Sequence, residues 1–225
     1  MIMAGGVSCD GRRIDKVGTW VPQDADIQLA AKKARFVSRG GEKLDQALTA
    51  FGDAGLDVTG AVAVDVGAST GGFTDCLLSR GAAKVYAVDV GYGQLAHALR
   101  NDARVIVRER TNAKDLTPAD FAEPIDLVVV DASFIGLGKL MPAIARISRR
   151  GGALVALVKP QFEAGRTAAS RGRGVIRDPD VRDRAIADAK KAVVEAGFEI
   201  RSEVDSALPG PKGNVEHFVY AIRNG

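Results

Sequence analysis

From residue 61 onward the chain repeats one pattern: a short apolar run, a turn, a helix-like stretch, then another apolar run. The runs are 61–66 (AVAVDV), 84–90 (KVYAVDV), 104–108 (RVIVR), 125–130 (IDLVVV) and 152–158 (GALVALV). Most are nearly continuous in Val, Ile, Leu and Ala, so both faces of such strands must be covered. Helical spacing falls between them at about 73–80, 93–100 and 136–149, and a longer helix is predicted over 179–196. Strands are expected again near 198–204 and 216–222. This alternation predicts an α/β fold, a doubly wound and mostly parallel sheet with helices on both faces. Residues 160–178, rich in Gly and Arg, are expected as a long loop, and loops of that length are usually functional or mobile.

The residues before this core read differently. Residues 5–30 suggest short β structure, with a turn at Asp10-Gly11 and a further strand in ADIQL after Pro22. Residues 31–40 read as a basic linker, and GEKLDQALTAFG (41–52) spaces Leu44, Ala47, Leu48 and Phe51 for a helix that Gly52 stops. Residues 1–43 hold eight Lys/Arg against five Asp/Glu, which accounts for the whole net charge of +3. A basic appendage on a neutral body suits a polyanion partner, although a solvated charged surface accounts for charge alone equally well.

Length and composition exclude several classes. A chain of 225 residues can hold one substantial domain and a small appendage. Cys9 and Cys76 lack metal-ligand spacing, so no metal site is expected and a reducing compartment is implied. No run approaches the roughly 18 apolar residues of a membrane span, and MIMAGGVSCDGRR has no apolar signal core. A cytoplasmic protein is expected.

Gly67-Ala68-Ser69-Thr70-Gly71-Gly72 joins the first buried strand to a helix. Glycines there allow a sharp turn and close approach to a ligand. Against the dinucleotide pattern G-x-G-x-x-G, Ser69 replaces the glycine that lets a pyrophosphate lie on the backbone. Asp89 ends the next strand, spaced to accept hydrogen bonds from ribose hydroxyls. A nucleoside cofactor without phosphate, such as S-adenosylmethionine, fits this loop better than NAD.

Asp131 and Lys159 end consecutive strands and should emerge together at the carboxyl edge of the sheet, where ligands bind. Taken singly, each reads as a solvated strand terminus. Beside a cofactor loop, a lysine and a carboxylate suggest proton handling.

RGGEK, VDVGASTGGFT, AVDVGYGQL, RTNA, VVVDASF, VKPQFE and PGPKGNVEHF, in that order, strongly resemble the hemolysin A (TlyA) type of ribosomal RNA 2′-O-ribose methyltransferases, relatives of the FtsJ methyltransferases. The resemblance covers residues 36–225 and implies a Rossmann-like methyltransferase fold with S-adenosylmethionine as methyl donor. It implies a Lys-Asp-Lys-Glu tetrad at Lys43, Asp131, Lys159 and Glu216, all four filled by the expected residue. It places Gly67, Ala68, Ser69, Thr70, Gly71, Gly72 and Phe73 around the methionine part of the cofactor, with Asp131 beside them. It places Asp89 on the ribose and Asn112 near the adenine, with Tyr92 a candidate for cofactor contact or packing.

A ribose hydroxyl is a poor nucleophile until its proton leaves, and a lysine serves as base once burial or a second cation discharges it. Lys159 is the expected base, Lys43 the cation beside it, and Asp131 and Glu216 the orienting groups. Phe134 and Phe162 are aromatic candidates for stacking an extruded base, with core packing as the stronger expectation for either. The expected partner is ribosomal RNA or a ribosomal subunit, with cytidine the implied target. Arg35, Arg39, Arg166, Arg171, Arg173 and Arg177 are the candidate phosphate contacts.

Residues 1–30 look like the second half of an αL RNA-binding module, followed by the linker 31–40 and a methyltransferase domain over 41–225. The first half of that module is expected to be missing. Two competing readings are a membrane-active hemolysin and a small-molecule methyltransferase. The first lacks a spanning segment or an evident amphipathic basic helix; the paired lysines and the basic amino terminus speak against the second.

Overall fold

The computed structural model describes residues 7–14, 18–29, 34–164, 175–210 and 212–225. The chain divides into two compact units, Met1–Arg35 and Phe36–Gly225. The first contains a three-stranded antiparallel sheet of β1 (Val7–Cys9), β2 (Arg12–Ile14) and β3 (Ile27–Leu29), in the order β2-β1-β3. Asp10 and Gly11 both adopt positive φ (49° and 77°), as the predicted tight hairpin turn requires. Trp20 is almost fully exposed.

The second unit opens with α1 (Arg39–Gly52), which starts two residues earlier than its spacing predicts and takes up the end of the expected linker. The strands are β4 (Val62–Val66), β5 (Lys84–Val88), β6 (Val105–Arg108), β7 (Ile125–Val130), β8 (Ser148–Val158), β9 (Phe198–Asp205) and β10 (His217–Arg223). They form one seven-stranded sheet in the order β6-β5-β4-β7-β8-β10-β9. Five neighbours run parallel, whereas β10 is antiparallel to both β8 and β9.

Covering both faces buries alternate residues of each strand in different cores. Ala63, Val85, Leu127, Val129 and Val155 face a core built with Leu44, Leu48 and Phe51 of α1 and Phe73 and Leu77 of α2 (Gly72–Ser79). Val64, Tyr86, Val128, Val130 and Leu154 face the other, built with Ile144 of a helix over Met141–Ile147 (α4) and Val193 of a helix over Pro179–Glu195 (α6). The near-continuous apolar runs are the consequence.

Three expectations need correction. The helix predicted at 93–100 shrinks to α3 (His97–Arg100), because Gly93 adopts φ 70° and the Asp89 carboxylate holds the Gly91 N–H, keeping the preceding segment a loop. The helix predicted at 136–149 breaks into a 3₁₀ turn (Leu137–Lys139) and α4, and β8 already begins at Ser148. The loop expected at 160–178 starts with a short helical turn, α5 (Pro160–Glu163), where Pro160 occupies the first-turn position that needs no N–H. No helix among the described residues is long and apolar enough to cross a membrane.

Candidate active site

The chain leaves β4 between two parallel neighbours on opposite sides: Gly67 N–H donates to Val88 O (2.9 Å), and Asp131 N–H to Val66 O (2.9 Å). From β4 the chain next forms β5 on one side and later β7 on the other, so this is where strand order reverses. Gly67 has φ 86°, and a Cβ on it would lie 2.8 Å from Asp131 O, so only glycine lets the loop pass this close to the end of β7. Asp65, fully buried, accepts from both the Thr74 N–H (2.9 Å) and the Thr74 hydroxyl (2.7 Å), which pins α2 to β4. Its second oxygen, Oδ1, is buried without a hydrogen-bond partner among the described residues. Burial, reinforced by the Asp131 and Asp89 carboxylates and opposed by Thr74, pushes the Asp65 carboxyl up to about 7.

Two cavities meet at this loop and share Gly67, Ser69, Asp131, Ser133 and Phe134. One, of about 560 Å³, is lined by Asp89, Asn112 and Thr111. There Asp89 accepts from the Ser69 N–H (2.8 Å) and the Gly91 N–H (2.6 Å), one on each oxygen. Each carboxylate oxygen keeps a further lone pair for a ribose hydroxyl. Asn112 caps the turn at 113–115 by accepting from the Lys114 N–H (3.2 Å). Tyr92 lies under the Arg110 guanidinium, 4.2 Å from the ring centroid, and is 68% exposed.

The other cavity, of about 710 Å³, holds all four residues of the expected tetrad. Lys43 Nζ and Glu216 Oε2 form a 2.5 Å ion pair, with Glu216 1% exposed. The Gln161 amide reaches Glu216 Oε1 at 3.4 Å. Lys159 Nζ pairs with Asp131 Oδ1 (2.5 Å) and donates to Ser133 Oγ (3.0 Å) and Asp131 O (3.4 Å). Burial raises the Asp131 carboxyl above the usual range, against the pull of Lys159. Lys43, expected as the cation beside Lys159, is paired with Glu216.

Glu216 reaches this edge because β10 runs against β8. In the register His217↔Val158, the residue entering β10 stands beside Lys159, which leaves β8. Sequence reasoning also passed over Gln161 and Ser133. Phe134 is 90% exposed, which corrects the expectation that it packs in a core, and its φ of 66° costs about 1–3 kcal/mol for a non-glycine residue. Phe162 lies half-buried against it, with ring centroids 5.1 Å apart.

Of the candidate phosphate contacts, Arg39 is exposed, lines the larger cavity and donates to Pro209 O (3.3 Å). Arg177 is exposed, and Arg35 is exposed in the first unit. Arg166, Arg171 and Arg173 lie outside the described residues. No group of three or more metal-ligating side chains occurs among the described residues.

A doubly wound sheet, a glycine loop at its switch point and an acid ending the next strand define the class of Rossmann-like methyltransferases. Residues 36–223 match the FtsJ-like methyltransferase family, and the chain belongs to it; its members are S-adenosylmethionine-dependent. The chain is 47% identical over 221 residues to the 16S/23S rRNA (cytidine-2′-O)-methyltransferase TlyA of Mycobacterium tuberculosis, covering 98% of this chain and 81% of that protein. It is 40% identical to Hemolysin A of Brachyspira hyodysenteriae, covering 99% and 91%. A Streptococcus thermophilus structure described as a hemolysin candidate superposes with a TM-score of 0.85 at 40% identity, covering 99% of this chain and 80% of that one. A magnesium protoporphyrin IX methyltransferase from Synechocystis, solved with bound SAH, shares the fold at a TM-score of 0.57 and 16% identity.

The residues present fit such a cofactor. Gly67 and Asp89 both line a cavity of about 560 Å³, and each Asp89 oxygen keeps a lone pair for a ribose hydroxyl. That cavity joins the one containing the lysines.

Proposed function

We propose that this chain methylates the 2′-hydroxyl of a ribose in ribosomal RNA, with cytidine as the target nucleoside, as the name of the Mycobacterium relative states for that protein. The observation that carries the reading is the pair of lysine–carboxylate contacts in one cavity, next to the glycine loop. A small-molecule methyl acceptor would not require a cavity bordered by an exposed arginine and an exposed aromatic ring.

S-adenosylmethionine supplies an electrophilic methyl group. In our reading Asp89 and Asn112 hold its nucleoside, and residues 67–73 with Asp131 surround its amino-acid portion. Lys159, after giving up its own proton to solvent, accepts the 2′-hydroxyl proton. Asp131 and Ser133 fix the direction of its Nζ, and Asp131 balances the ammonium that results. Lys43 and Glu216 form the rigid wall against which the ribose is set, and alignment of oxygen with the methyl carbon provides the rest. Arg35, Arg39, Arg166, Arg171, Arg173 and Arg177 are assigned to RNA phosphates. Residues 1–30 are assigned to an RNA-binding module, residues 31–40 to a linker and residues 41–225 to the catalytic domain.

Incubating the protein with methyl-labelled cofactor and either intact ribosomal subunits or naked rRNA, followed by mass mapping of nucleosides, tests this reading. The expected product is a ribose-methylated cytidine; label on a base nitrogen or carbon would overturn it.

A further inference from the structure

The segment that follows β7 and the one that follows β8 are joined at successive points. Lys159 reaches Asp131 and Ser133, Phe162 meets Phe134, and the Glu163 carboxylate accepts the Leu137 N–H at 2.7 Å. The last contact lies farthest from the lysine and has no place in the chemistry above. Its geometry is nevertheless restrictive. Glu163 Oε2 sits where a Cβ on Gly136 would come within 2.9 Å, so the carboxylate rests directly against a backbone that carries no side chain there. Burial raises the Glu163 carboxyl above the usual range, with Asp188 adding to the effect and the Leu137 N–H opposing it.

What lies between these fixed points is Phe134. It keeps a left-handed backbone that phenylalanine disfavours, stays 90% exposed, and borders both cavities. A strained residue persists only where its surroundings over-determine it. On one side Phe134 is held through Ser133 by Lys159. On the other, the turn at Gly136–Leu137 is held by Glu163.

We propose that Glu163 is a positioning residue for the RNA substrate: it clamps the Gly136–Leu137 turn and so holds Phe134 above Phe162 as a stacking platform for the target nucleotide. This rests on the RNA methyltransferase reading, but the clamp itself is measurable without substrate.

Replacing Glu163 by Met removes the acceptor while keeping bulk, whereas Glu163→Gln keeps a carbonyl for the Leu137 N–H. In the free protein, Glu163→Met should speed hydrogen exchange of the Leu137 amide at least tenfold, and Glu163→Gln should recover most of that protection. In methyl transfer to ribosomal subunits, Glu163→Met should raise the KM for RNA roughly tenfold with cofactor affinity unchanged. Combined with Phe134→Ala, it should add little to the loss Phe134→Ala causes alone, because both act through one ring. Gly136→Ala, which crowds the carboxylate from the other side, should reproduce the KM effect if Glu163→Met folds poorly. Full additivity in the double variant, a parallel loss of cofactor affinity, or unchanged Leu137 exchange would overturn the assignment. An inactive wild type with the exchange difference intact would instead sink the RNA methyltransferase reading, and with it the platform role.

Discussion

The larger cavity contains two lysine–carboxylate pairs of equal length and different character. Lys43–Glu216 is sealed: the glutamate is 1% exposed, and its second oxygen faces the Gln161 amide. Lys159–Asp131 is more open, and its ammonium touches three oxygens on the segment after β7. Only the second borders both cavities, through Asp131. On the proposed function, the sealed pair is structural and the open one carries the proton transfer.

Breaking the sealed pair should have the largest effect on stability. Glu216→Ala leaves Lys43 buried without its carboxylate and should cost about 3–5 kcal/mol in urea unfolding. The double variant Lys43→Met with Glu216→Leu should recover most of that loss. Stability that falls as far in the double variant as in the single one would erase the distinction between the pairs.

The next effect in size depends on pH. The folded-state value of about 7 for Asp65 lies above the unfolded value of about 3.9, so the native protein holds an extra proton between them. Stability should therefore fall as pH rises from about 4 to about 7, by up to about 4 kcal/mol. Asp131, also raised by burial, acts in the same direction. Unfolding measured at pH 5 and pH 8 should show a smaller drop in Asp65→Asn than in the wild type.

Asp131→Asn should cost only about 1–2 kcal/mol, less than Glu216→Ala, because asparagine keeps an oxygen beside Lys159 whereas alanine leaves Lys43 without its acceptor. Equal losses would mean that both pairs are structural. Smallest of all, Arg39→Ala should weaken RNA binding severalfold and reduce the slope of log affinity against log salt by about 1, as expected for one lost phosphate contact.

The parallel core was legible because strands covered on both faces must be apolar at nearly every position, and residues 61–158 show it. Asp131 and Lys159 were legible for the same reason, as the polar residues that end such runs. Glu216 and Lys43 were not, because nothing in the residues alone signals that β10 runs against its neighbours and brings Glu216, just before it, to the carboxyl edge, where Lys43 of α1 meets it. Family resemblance, rather than periodicity, supplied those two. Phe134 was misjudged because nothing in the residues alone signals the left-handed backbone at that position, where the ring stays exposed. The loop at 89–96 deceived the helical pattern because Asp89 spends its hydrogen bonds on Gly91 and Ser69.

The most direct test of the division between the two pairs is single-turnover methyl transfer to ribosomal subunits by Lys159→Ala, with cofactor affinity measured by calorimetry on the same preparation. The predicted result is a rate lower by about 10²–10⁴-fold with affinity unchanged. Turnover at the wild-type rate with affinity intact would contradict it.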